Sequence, residues 1–167
     1  MLTLHSKLAH SDNLHGELVL AWDQREKCRL RARLASGEEV AIFTPRGSVL
    51  RDGELLVGAE GKVVLVRAAL EPTYVVRCDS TAALLRCAYH LGNRHTQVQL
   101  APDLLRIRVD PVLREMVEGL GATVTQEQAA FEPESGAYSG NGHGHEHGAS
   151  LAPIPLRQKI HRPGDAP

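Results

Sequence analysis

The sequence predicts an α+β protein built as a small N-terminal β-barrel or sandwich-like domain, a ferredoxin-like β-α-β-β-α-β domain and a flexible His-rich tail. Three observations carry that reading. Residues 1–72 hold short apolar or alternating runs between glycine turns. Residues 73–133 hold two capped helical patterns set among strand patterns. Residues 134–167 contain six Gly, four Pro and four His and few core formers. In a segment of that kind little apolar burial opposes the entropy cost of ordering the chain.

In the first region, Leu18-Val19-Leu20-Ala21 is a short apolar run. From Cys28 to Leu34 the alternation is strict: Leu30, Ala32 and Leu34 fall on one face, and Arg29, Arg31 and Arg33 on the other. Period two is the signature of a strand with one wet side. Ser36-Gly37 turns the chain, Glu39 to Phe43 returns it, and Lys62 to Ala68 supplies the last strand. Helical propensity has almost nothing to grip in this region. The arginine face reads either as a solvated surface or as a protein-docking surface.

Glu71-Pro72-Thr73 marks the boundary to the second region. Tyr74 to Cys78 is extended and mostly apolar. Ser80 is placed to cap a helix from Thr81 to about Leu91, with Ala83, Leu84, Cys87, Ala88 and Leu91 as its buried stripe. Gly92 is the expected left-handed cap. Gln97 to Leu100 and Leu104 to Val109 are strands around Ala101-Pro102-Asp103. Asp110 caps a second helix with Pro111 at its first position, where the missing N–H costs nothing. Gly121 ends that helix, and the last strand begins at Ala122.

Composition narrows the function. The chain has 167 residues, 19 Lys plus Arg against 20 Asp plus Glu, and a net charge of −1, which gives no general attraction to nucleic acid or an anionic membrane. It contains no run of 18 apolar residues and no apolar h-region near Lys7, so neither a membrane span nor a secretory signal is expected. Its three Cys include no CxxC pair, which argues against a disulfide framework or a thiolate zinc site and fits a reducing cytosol. Cys78 and Cys87 fit core positions. Gly58-Ala-Glu-Gly61-Lys62 is only a loose echo of a phosphate loop, lacking the Walker spacing.

Histidine is the unusual residue, with nine in all and four after position 142. His143, His145 and His147 alternate with Gly144 and Glu146. Alternate residues of an extended chain lie about 6–7 Å apart on one side, and the glycines allow their rings to converge. Neutral imidazoles suit nickel, copper and zinc, and this pattern does not choose among them. His161 stands near the chain end and can reach back to a distant site. His95 follows Gly92-Asn93-Arg94 just beyond the first helix, exposed by position. His90 precedes it by five residues, which rotates it about 140° past a full helical turn, so the two are poor chelating partners. His5, His10 and His15 match neither strand nor helix spacing and read as surface residues.

Several segments in order then resemble a known family: Ala88-Tyr-His-Leu-Gly-Asn-Arg-His95, Asp110-Pro-Val-Leu-Arg-Glu-Met116, Gly119-Leu-Gly-Ala122 and Phe131-Glu-Pro-Glu-Ser-Gly-Ala-Tyr138, followed by the His-rich tail. Together they are similar to the urease accessory protein UreE family. The resemblance implies a cytoplasmic Ni(II) metallochaperone and not an enzyme. It implies an N-terminal domain resembling a peptide-binding module and homodimerisation through the ferredoxin-like domain. It places one His95 from each subunit at a shared metal site that tail histidines complete or feed. The implied partners are the accessory GTPase UreG and the UreD, UreF and urease assembly complex. Some relatives carry histidines flanking the Asp before the second helix; here that segment is Val109-Asp110-Pro111, so a second metal site is not expected there. Zn(II) or Cu(II) could occupy the same ligands. A zinc or copper storage protein and a non-metal interaction module are the competing functions.

Overall fold

The computed structural model describes residues 1–135. The expected disorder of the tail falls outside them. The N-terminal region contains β1 (Leu2–Leu8), β2 (Gly16–Leu20), α1 (Trp22–Arg25), β3 (Arg29–Arg33), β4 (Glu39–Phe43), β5 (Leu55–Gly58) and β6 (Val63–Ala68). These six strands form one sheet in the order β2-β6-β5-β1-β4-β3. The sheet curls until its edges nearly meet: Ala35, just beyond β3, donates its N–H to the carbonyl of Glu17 on β2 at 2.8 Å. Near-closure of this kind hides most of the unpaired edge that an open sheet would present.

Inside the curl, Leu4, Leu18, Leu20, Val40, Ile42, Leu56, Val64 and Val66 pack into one buried cluster. Each fully buried side chain of this size contributes roughly 1.5–3 kcal/mol of apolar transfer. The alternation in β3 holds: Leu30 and Ala32 pack against the cluster, while Arg29, Arg31 and Arg33 are exposed. Gly58 is explained by a close approach of strands. A Cβ there would stand 1.9 Å from the Thr3 carbonyl oxygen, so the loose phosphate-loop echo marks a packing requirement.

In this domain β1 and α1 escape the sequence patterns. In β1, Leu2 and Leu4 are buried but every residue after them is exposed, which truncates the period-two signal. The single-turn α1 is too short for a helical period. Tertiary and local bonds fix it instead: Gln24 Oε1 accepts from the Ala21 N–H at 3.0 Å, and Glu71 accepts from the Trp22 N–H at 2.8 Å.

The second region runs β7 (Leu70–Arg77), α2 (Thr81–Asn93), β8 (Gln99–Leu100), β9 (Leu105–Arg108), α3 (Pro111–Gly119) and β10 (Thr123–Ala130). Its sheet order is β10-β7-β9-β8, the ferredoxin-like arrangement. Both helices start as their caps dictate. Ser80 Oγ accepts from the Ala83 N–H at 3.2 Å, and Asp110 Oδ1 accepts from the N–H groups of Val112 and Leu113 at 2.8 and 3.1 Å. Cys87, Leu91 and Val117 meet Tyr74, Val76, Leu105 and Ile107 in the second core. Gly121 takes the expected positive φ of 91° after α3. The cap of α2 departs from expectation. Gly92 lies within the helix, which continues to Asn93, and the left-handed residue is His95, with φ 55°.

Candidate functional site

His95 owes its position to that irregular helix end. The N–H groups of Arg94 and Thr96 both bond to the Leu91 carbonyl, at 3.1 and 3.2 Å, and the His95 N–H bonds to Gly92 at 2.9 Å. Three consecutive donors are thus tied to the last turn of α2. A left-handed backbone is uncommon for a residue with a side chain, although His is among those enriched there. His95 is the one non-glycine residue with positive φ among those described. Its side chain is exposed at the edge of an open cleft of about 650 Å³.

The cleft straddles both domains. Glu26 borders it from the N-terminal domain; Arg108 at the end of β9, and Val109, Asp110 and Leu113 about the start of α3, border it from the second. Gln97 ties the two sides together: its Nε2 donates to Glu26 at 2.7 Å, and its Oε1 accepts from the Trp22 indole at 2.9 Å. The rim has an apolar component, since Val109 is 39% exposed, and Val112, just beyond it on the first turn of α3, is 62% exposed. Among the described residues, no three His, Cys, Asp or Glu side chains converge to hold a metal ion. His95 therefore has no cluster of further His, Cys, Asp or Glu side chains beside it among the described residues.

Other predicted histidines resolve differently. His90 is half-buried, its ring edge-on to Tyr89 at 5.4 Å between centroids. His5 bonds to Ser6, His10 to Asp12 and His15 to Glu38, all on the surface. The His15 hydrogen bond lowers the Glu38 carboxyl below its usual range. His143, His145, His147 and His161 lie outside the described residues.

Next to the cleft is a seam that the sequence reading missed. Arg25 is fully buried and donates to the carbonyls of Leu20, Leu50 and Phe131 and to the Glu132 carboxylate. Arg51 donates to the other Glu132 oxygen at 3.0 Å, to the Pro133 carbonyl at 2.9 Å and to Ser135 at 2.7 Å. Both guanidinium groups stand 5.1 Å from the Trp22 ring centroid, and Phe131 meets that ring edge-on. The available signal was the single Trp of the chain, three residues before Arg25. The same segment runs back toward the His95 turn: the Glu134 N–H donates to Val98, three residues after His95, at 2.9 Å.

Comparisons with known proteins agree with this architecture. Two family models match: UreE urease accessory protein, N-terminal domain, over residues 3–69, and UreE urease accessory protein, C-terminal domain, over residues 71–158. A urease accessory protein UreE of Janthinobacterium sp. (strain Marseille) is 62% identical over 99% of this chain and 98% of its own length. One from Nitrosospira multiformis is 55% identical over 100% and 99%. One from Paraburkholderia xenovorans is 53% identical over 81% of this chain and 60% of its own. No helix among the described residues is long and apolar enough to cross a membrane. On two matched domains and full-length similarity, the chain belongs to the UreE family of urease accessory proteins, and it is an accessory protein rather than an enzyme.

Proposed function

We propose that this protein is a cytoplasmic nickel carrier for urease maturation, with His95 as its central ligand. The observation that carries the reading is the placement of His95: exposed, at the mouth of an open cleft, on a backbone tied down by three hydrogen bonds. One imidazole cannot hold nickel tightly. A homodimer with His95 near its two-fold axis would double the ligand without any chelating spacing in the sequence. The exposed Val109 and Val112 beside the cleft suit a surface that a second copy covers.

Tail histidines would add the remaining ligands. Ser135 leaves the seam on a segment bonded to Val98, and His143 to His147 follow eight to twelve residues later. That length of chain spans at most about 26–43 Å, enough to return to His95. A tether raises the local concentration of ligands without fixing them. Such a site holds the ion and surrenders it ligand by ligand, unlike a closed structural site. Transfer then proceeds to the accessory GTPase UreG, working with UreD and UreF at urease. Zinc and copper are competitors for the same imidazoles.

Urease activation in cells at limiting nickel tests the reading. His95→Ala should reduce activation strongly, and loss of residues 139–167 should reduce it further at the lowest nickel. Full activation by both variants would favour zinc or copper buffering, or a non-metal interaction role, and overturn the nickel-carrier proposal.

A further inference from the structure

Cys78, at the end of β7, and Cys87, on the second turn of α2, stand with their sulfurs 3.8 Å apart. Neither belongs to the His95 cleft. Cys87 is fully buried, whereas Cys78 is half-buried and packs against the rim of the same core. A disulfide has a sulfur separation of about 2.05 Å, so each sulfur needs to move by only about 1 Å. The third cysteine, Cys28, lies on the other domain, next to β3.

We propose that Cys78 and Cys87 form a reversible dithiol–disulfide pair that responds to a disulfide oxidant of the glutathione class. The two thiols have distinct roles. Burial, reinforced by the hydrogen bond and charge of Cys78, pushes the Cys87 thiol up to about 11, so at neutral pH Cys87 keeps its proton. Cys78 is the more accessible sulfur and makes the first attack. Its thiolate attacks one sulfur of oxidised glutathione, forming a mixed disulfide and expelling one glutathione thiolate. Cys87 then attacks the Cys78 sulfur, losing its proton, and the second glutathione leaves. The two protein thiols are oxidised, one glutathione disulfide is reduced to two thiols, and the two protons end on those thiols. Contact between the protein sulfurs makes the second step intramolecular, which favours it over a lasting mixed disulfide. The product ties the end of β7 to α2 and shields the accessible thiol from further oxidation.

The test uses the metal-free full chain incubated with oxidised glutathione. Free thiols should fall from three to one, and the intact mass should drop by about 2 Da. Trypsin cleaves after Arg77, Arg86 and Arg94, so peptide 78–86 should be recovered joined to peptide 87–94 and separate on reduction. Cys28→Ser should retain the link, and Cys78→Ser should abolish it. The oxidised form should melt about 5 °C higher, because the bridge constrains the unfolded chain. Three persisting thiols, a stable glutathione adduct on Cys78, or a link through Cys28 would each overturn the proposal.

Discussion

At the seam, Arg25 is fully buried and reaches three carbonyls and a carboxylate; at the turn, His95 is tied through its backbone while its ring stands in solvent. His95 lines the cleft, whereas Arg25 lies in the seam next to it. Arg25 acts as structure, because a buried guanidinium is tolerable only when paired, and each of its three nitrogens donates here. His95 presents its side chain instead: its backbone is fixed by the bonded helix end and its ring is left exposed. The left-handed backbone at His95 is a local cost that the bonded helix end sustains.

The largest effect that would break this contrast lies at the seam. Arg25→Ala leaves Glu132 and three carbonyls without their partner and should lower unfolding stability by about 3–5 kcal/mol. Denaturant titration of the metal-free protein checks it; a loss below about 1 kcal/mol would place Arg25 with the dispensable surface charges. An intermediate effect is expected where α3 begins. Asp110→Ala removes the cap that accepts from Val112 and Leu113 and should cost about 1 kcal/mol, read in the same titration. The smallest effect belongs to the turn itself. His95→Ala should change stability by under about 0.5 kcal/mol, since the ring packs on little. His95→Gly should be about 0.5–1 kcal/mol more stable than His95→Ala, because glycine takes a positive φ without Cβ strain. Equal stability of the two variants would show that the turn relaxes when the imidazole is gone.

The fold was largely legible in the sequence, for reasons visible at particular residues. Strict alternation from Leu30 to Leu34 announced β3, and Ser80, Asp110 and Pro111 announced both helix starts, because those signals are local. β1 and α1 were not legible. Only Leu2 and Leu4 of β1 are buried, and α1 is a single turn whose bonds come partly from Glu71, 49 residues from Trp22. The end of α2 was misplaced for a related reason. Gly92 is the better residue for a left-handed cap in isolation, but the helix continues to Asn93, and closure onto Leu91 and Gly92 imposes the left-handed backbone on His95. His95 itself was legible as an exposed histidine past a helix. The cleft around it was not, because Glu26, Gln97 and Asp110 meet there only after the two domains pack.

Nickel titration of the full chain by calorimetry, comparing wild type with His95→Ala and with association state followed by ultracentrifugation, tests the central claim most directly. The tightest nickel site should disappear in the variant while its association state and unfolding curve match wild type. Tight binding retained by a folded His95→Ala protein would contradict it and move the metal site away from the turn.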